Sequence, residues 1–194
     1  MNDKKIESLW KEILELIGED TEREGIKATP KRIARMYKNI FYGYNKKLVV
    51  MNEEERSKNN EKDIIPITIF KNENKEMLIR DTVFTSFCEH HIVPFSGKAW
   101  VGIIPDKKLL GMNKIDKIVK YFAARLQIQE RMTQQIADWI WENIEPLGII
   151  VIIRADHFCA RLQNDNGWFT TSAIKGVFKK NEPKNEFLKL MELK

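Results

Sequence analysis

The run GKAWVGIIP (97–105) is followed by NKIDKIVKYFAA (113–124), ERMTQQIADWIWENI (130–144) and GIIVIIRADH (148–157), and this order decides the fold. The first and last runs are rich in β-branched and apolar residues and read as strands. Between them the apolar residues change period. Ile115, Ile118, Val119 and Phe122 recur at three- and four-residue spacing, as do Met132, Ile136, Ile140 and Ile144, which puts each set on one face of a helix. Strands, then two helices in succession, then strands again is a segregated order. It predicts an α+β class, an antiparallel β-sheet with two helices packed on one face.

Working outward, IIPITIF (64–70) and MLIRDTVFTSF (77–87) read as further strands on the N-terminal side. On the C-terminal side the strand reading of GIIVIIRADH runs on through FCARL. TTSAIKGVF (170–178) then returns as a strand from a turn at Asp165-Asn166-Gly167, and EFLKLMEL (186–193) closes as a short helix. Near the start, Ile6, Leu9, Trp10, Ile13, Leu14 and Ile17 fall at helical spacing, with Gly18 as the stop. Thr29-Pro30 reads as an N-cap with proline at the first helical position, opening a second helix that carries Ile33, Met36, Tyr37 and Ile40 and ends at Gly43. Residues 46–63 are rich in lysine, asparagine and glutamate with few apolar anchors. The expected organisation is an N-terminal helical region over 1–45, a flexible charged connection over 46–63, and a domain over 64–194 that holds the chemistry.

Apolar residues make up 43% of the chain and charged residues 31%, which suits an ordinary globular protein. No stretch approaches the ~18 to 20 uninterrupted apolar residues of a membrane span. The opening MNDKKIESLWKEILELIGED lacks the apolar segment of a secretory leader, so the expected location is cytoplasmic. Thirty-three basic against 28 acidic residues leave a net charge of +5, which favours an anionic partner. The basic residues are dispersed, without the dense patch or aromatic platform of a nucleic-acid reader, so a small polyanion is expected and neither nucleic acid nor membrane.

The chain's three histidines and two cysteines all fall in two short words, Cys88-Glu-His-His91 and His157-Phe-Cys159. Buried free cysteines often act only as small hydrophobes, and a lone C-x-x-H is a weak signal. Confinement of all five residues to two words points instead to a metal. Zinc takes thiolate and imidazole ligands, and Cys88, His91 and Cys159 would supply three, leaving one position for the water that a catalytic site needs. His90 and His157 are then available for acid and base work. Between the words, Lys114 and Lys117 lie three apart and share a helix face, suited to phosphates. Gln129 and Glu130 open the following helix. A carboxylate such as Glu130 can accept from the ring N–H and exocyclic amino group of guanine, a pairing adenine does not offer.

At these residues the sequence resembles the GTP cyclohydrolase I family. The resemblance runs through TPKRIARMY (29–37), SFCEHHIVPFSGKA (86–99), LGMNKIDKIV (110–119), RLQIQERMTQQIA (125–137), ADHFC (155–159), TTSA (170–173) and GVF (176–178), so it covers most of the chain. It implies a tunnelling fold (T-fold) whose subunits form two stacked pentamers, a homodecamer with active sites between subunits. It implies Zn2+ held by Cys88, His91 and Cys159, with His90 and His157 moving protons. Glu130, helped by Gln129, would anchor guanine, and Arg32, Lys114 and Lys117 would meet the triphosphate of GTP. Hydration at C8 would open the imidazole ring, release formate and lead to 7,8-dihydroneopterin triphosphate, a precursor of folates and pterins.

The phosphate end departs from the family pattern. The family continues past its second metal cysteine as H-x-C-x-x-x-R-G; here Gln163 stands at the arginine position and the loop before Thr170 is shorter. In an extended segment Arg161 would share a face with Gln163, displaced by ~6.6 Å, and would compensate in part. Asn113 replaces the family's serine before the helix lysine, and Lys117 its next arginine, a point charge in place of a two-pronged donor. These changes open one alternative, ring opening at C8 of a guanine nucleotide with a different phosphate tail; a separate alternative is a purine-binding relative without catalysis, against which the retention of His90 and His157 argues.

Overall fold

The computed structural model describes residues 1–192; Leu193, the last residue of the expected closing helix, lies outside them. Helix α1 (Asp3–Leu16) starts where the Asn2 side chain accepts from Lys5 N and stops before Gly18, whose φ of +89° suits glycine. Helix α2 (Thr29–Ile40) carries Pro30 in its first turn, but Thr29 is already helical and Ala28 occupies the cap position with no side-chain bond, so the expected threonine cap is absent. The pair packs through an edge-on contact of Trp10 and Tyr37, and Lys38 pairs with Asp3. It is anchored to the rest of the chain by Phe41 against Phe87 and by Gly43, whose N–H donates to Ala124 O at 3.0 Å. A Cβ at Gly43 would lie 2.7 Å from the carbonyl oxygens of both Ala124 and Tyr121, so this junction requires glycine.

The 46–63 stretch differs from the expected connection, because it holds strand β1 (Lys47–Met51) and helix α3 (Glu53–Lys58). The short apolar run Leu48-Val49-Val50-Met51 pairs in parallel with β2 (Ile64–Lys71), in register Lys47↔Ile64 to Met51↔Thr68. Helix α3 forms the crossover, opened by a capping box in which Asn52 and Glu55 each accept from the other's backbone N–H at 2.8 Å.

Strands β3 (Leu78–Cys88) and β4 (Pro94–Ile104) form a long antiparallel pair, and β5 (Lys108–Leu110) returns to pair antiparallel with β2. Helix α4 (Met112–Ala123), the two-residue strand β6 (Leu126–Gln127) and helix α5 (Gln129–Ile144) follow. Strand β7 (Gly148–His157) leads into a single helical turn, α6 (Phe158–Arg161), before β8 (Trp168–Gly176) and the closing helix α7 (Asn181–Glu192). The main sheet has the order β6-β3-β4-β7-β8, antiparallel except for the short parallel contact of β6 with β3.

The expected architecture is present. Ile115, Ile118 and Val119 of α4 and Met132, Ile136 and Ile140 of α5, all fully buried, pack on one sheet face against Ala99, Val101, Val151 and Ile153. Burying each such side chain is worth about 1.5–3 kcal/mol. Alternation in β4 sends Trp100 and Ile104 to the other face, where Phe187 of α7 packs with Ile150 and Phe178. The sheet is thereby covered on both sides.

Candidate metal centre and adjoining cleft

Antiparallel pairing across β4 brings the two words together. Phe87 pairs with Pro94 and Phe95 with His157, so the C-terminal ends of β3 and β7 flank the start of β4 at one end of the sheet. Two strand spacings, about 9–10 Å, separate them. The gap is closed from both sides. After Cys88 the chain makes a tight turn, with Cys88 N donating to Val93 O at 2.9 Å, Ile92 N to Cys88 O at 2.8 Å, and Ile92 at a φ of +56°. After His157 the α6 turn curls inward and carries Cys159.

Donor atoms of Cys88, His91 and Cys159 lie within 4.8 Å of one another, and Cys88 Sγ is 3.7 Å from His91 Nδ1. Around a tetrahedral ion with bonds of ~2.3 Å to sulfur and ~2.0 Å to nitrogen, donor pairs sit roughly 3.5–3.8 Å apart, so the trio fits a metal of that type with little closure. Burial, followed by the adjacent Cys88 thiol, pushes the Cys159 thiol above its ordinary value. A cation between the two sulfurs removes that penalty, because it favours the thiolate forms.

The trio borders a cleft of about 250 Å³ that is also lined by His90, His157, Gln129, Glu130 and Phe169. His157 is clamped on three sides: its ring stacks on Phe95 at 4.5 Å, meets the edge of Phe169, and places Nε2 2.9 Å from the amide oxygen of Gln129. Burial lowers its affinity for a proton, partly offset by Glu130 and Asp156. His90 is exposed, with Nδ1 3.9 Å from Cys88 Sγ. Glu130, in the first turn of α5, is exposed to the cleft. A cleft with a soft metal site, two imidazoles and one free carboxylate can bind a planar heterocycle through its N–H groups and hydrate it.

Other expected site residues lie elsewhere in the chain. Lys117 lines a separate cleft with Lys38, Lys46 and Lys120, Lys114 is buried at the start of α4, and Arg32 is exposed on α2. Burial, then the neighbouring Lys117 and Arg56 charges, lower the Lys114 ammonium below its usual value. The expectation of an extended 158–162 segment is overturned. Because this stretch is helical, Arg161 swings back to form a two-point pair with Asp156, Nε to Oδ1 at 2.9 Å and a terminal nitrogen to Oδ2 at 2.5 Å. Gln163 donates to Cys159 O at 3.2 Å. Neither side chain takes the shared-face arrangement that extension would give.

Three residues not singled out from sequence hold the Cys88 loop. Arg131 donates to both carboxylate oxygens of Glu89 and to Gln127 Oε1, and Gln127 in turn donates to Phe122 O at 2.9 Å. Their signal was their place inside the quoted words, Glu89 within CEHH and Gln127 and Arg131 within LQIQER.

A sequence model of the GTP cyclohydrolase I family matches residues 6–192. GTP cyclohydrolase 1 of Campylobacter jejuni (strain RM1221) is 43% identical over 193 residues, covering 97% of this chain and 95% of that protein. The protein of that name from Pelotomaculum thermopropionicum is 43% identical over 182 residues, covering 91% and 89%, and that of Gloeobacter violaceus 40% identical over 183, covering 92% and 79%. Among solved structures, archaeosine synthase QueF-Like in the apo form aligns with 54% of this chain and 97% of its own at 15% identity, with a TM-score of 0.47. With a family match over nearly its whole length and relatives at 40–43% identity, the chain belongs to the GTP cyclohydrolase I family.

Proposed function

We propose that the protein is a zinc-dependent GTP cyclohydrolase I, hydrating guanine at C8, releasing formate and yielding 7,8-dihydroneopterin triphosphate. The observation that carries this reading is the convergence of Cys88, His91 and Cys159 with His90, His157 and Glu130 on one cleft, in a chain of this family. Zinc, when bound, supplies Lewis-acid activation of water at neutral pH. The carboxylate of Glu130 accepts from the ring N–H and exocyclic amino group of guanine and fixes the purine's orientation. Hydration at C8 puts electron density on N7, and His157 delivers a proton there as general acid. His90, exposed beside the metal ligands, carries protons to and from solvent. Cleavage of C8–N9 opens the imidazole ring to a formamide, a second water hydrolyses its C8–N7 bond to release formate, and the ribose carbons rearrange and close the new ring with loss of water.

Arg32, Lys114 and Lys117 are the proposed triphosphate ligands. Because Lys117 faces a different cleft from the purine site of its own chain, the reading requires that a neighbouring copy bring these cations to the site. A ring assembly, two pentamers making a decamer, meets that need. Exposed apolar side chains such as Leu16 at the end of α1, Ile17 just after it and Trp168 on β8 support contact between copies. Cytoplasmic location is part of the same proposal, since free thiol ligands require a reducing compartment; among the described residues no helix is long and apolar enough to cross a membrane.

One observation favours a second reading of the substrate. Arg161 is held by Asp156 and Gln163 by Cys159 O, so this loop supplies no disengaged guanidinium for phosphate. A guanine nucleotide with fewer phosphates would suit that end. Formate release and product fluorescence from metal-quantified protein given GTP, GDP, GMP and guanosine decide both points. GTP turnover exceeding the others supports the first reading, a GDP or GMP preference supports the second, and no formate from any of them refutes both.

A further inference from the structure

Gln129, the first residue of α5, is 2% exposed, and its amide is fully engaged. Its nitrogen faces the carbonyl oxygens of Ile153 at 3.0 Å and Phe169 at 3.1 Å, and Thr171 Oγ1 at 3.1 Å. Carbonyl oxygens only accept, so the NH2 end must point toward them; the flipped amide would set oxygen against two carbonyls. The hydroxyls agree with this direction. Thr133 Oγ1 donates to Gln129 O at 2.7 Å, which leaves it to accept from Thr171 Oγ1, also at 2.7 Å, and Thr171 then accepts from Gln129.

The amide oxygen of Gln129 therefore faces His157 Nε2 at 2.9 Å, and an amide oxygen has no proton to give. The hydrogen of that bond must sit on Nε2. Stacking on Phe95 and the edge contact with Phe169 block rotation of the ring. We propose that Gln129 is a positioning residue: it holds neutral His157 in the Nε2–H form, so that Nδ1, turned to the bound purine, is the nitrogen that takes up and passes on the proton delivered to N7. This reverses the role expected for Gln129, since an amide spent on β7 and β8 carbonyls is not offered to guanine. Presentation of Nδ1 to the purine rests on the proposed C8 chemistry, whereas the tautomer does not.

The test is nitrogen-15 NMR of histidine-labelled, zinc-loaded protein under mildly alkaline conditions, with His157 assigned by the signals that vanish in His157→Asn. Nε2 should resonate as a protonated nitrogen and Nδ1 as a bare one; an Nδ1–H tautomer or a mixture overturns the proposal. In Gln129→Met, which keeps length and loses the amide, a mixture should appear. Its kcat should fall about tenfold or more with KM for GTP within about twofold, as expected when a general acid worth ~10²–10⁴ is misoriented. A raised KM with unchanged kcat would instead make Gln129 a guanine ligand and overturn the assignment. Should Gln129→Met not fold, the wild-type spectrum decides alone, and Thr171→Val, which leaves both carbonyls facing the amide, should keep the Nε2–H tautomer; its loss there would overturn the orientation argued from those carbonyls. Wild-type protein that shows the tautomer yet releases no formate refutes the proposed reaction and leaves the tautomer assignment standing.

Discussion

The guanidinium of Arg131 grips both carboxylate oxygens of Glu89, tying the first turn of α5 to the turn that carries Cys88 and His91. Each group holds the other's charge: the Arg131 hydrogen bond keeps the Glu89 carboxyl below its ordinary range, and Glu89 raises Arg131. The pair is partly exposed, so its value lies in geometry more than in raw stability. Arg131→Lys, which keeps charge but loses the fork, and Glu89→Gln should each weaken zinc retention about tenfold, the lower end of the effect of groups that orient metal ligands. Competition with a chelator of known affinity measures this, and the double variant should be no worse than the poorer single one.

Metal occupancy should also govern stability, because the trio comes from β3, the turn after it and α6, which only the folded chain unites. Zinc at about one hundred times its dissociation constant should add about 2.7 kcal/mol. Calorimetry of loaded and chelated protein should show a higher Tm with metal, and Cys159→Ser should abolish most of that difference. An equal shift in the variant would mean that the ion binds elsewhere.

The metal trio was legible because histidine and cysteine are scarce in this chain and fall in two words, and α4 and α5 because burial on one face imposes a helical period on Ile115 to Phe122 and Met132 to Ile144. Strand β1 was hidden because four apolar residues between lysines and asparagines carry little signal, and its partner Ile64 lies beyond an intervening helix. The Asn52–Glu55 capping box was readable as N-x-x-E but preceded no apolar run. Beyond the stop of β7 at His157 the chain turns helical and Arg161 meets Asp156, a contact that a β-branched strand pattern does not encode. The burial of Gln129 likewise depends on carbonyls of β7 and β8, more than twenty residues away in sequence.

Arg80 and Asp116 join β3 to α4 and make acid stability sensitive to one carboxyl. Asp116 accepts from Arg80 Nε at 2.9 Å and from Thr82 Oγ1 at 2.5 Å, and Arg80 foremost, with Thr82, holds its pKa below the ordinary value against an opposing effect of burial. A lowered folded-state pKa means that the unfolded chain binds the proton more readily. The stabilisation is therefore complete above the unfolded value of about 3.9 and is lost as pH falls through the folded one. Urea midpoints measured from pH 6 down to pH 3 should show a shallower acid decline in Asp116→Asn, along with lower stability at pH 6. Parallel curves for the two proteins would remove Asp116 from the account.

Glu130 is the carboxylate that faces the cleft beside His157, and its proposed partner is the edge of guanine that carries a ring N–H and an amino group. Charge-assisted hydrogen bonds of this kind are worth about 1.5–3 kcal/mol each, so losing one should cost ~10- to 150-fold. In Glu130→Gln one carboxylate oxygen becomes an NH2 that confronts a donor of the base, and kcat/KM for GTP should fall by at least the lower figure. The sharper expectation concerns specificity. Inosine triphosphate keeps the ring N–H but lacks the amino group, so wild-type protein should favour GTP over it by about tenfold or more, and Glu130→Gln should compress that ratio toward one while binding zinc as before. A ratio unchanged by the substitution would show that the amino group is read by some other group, and Glu130 would then lose its assignment to the base.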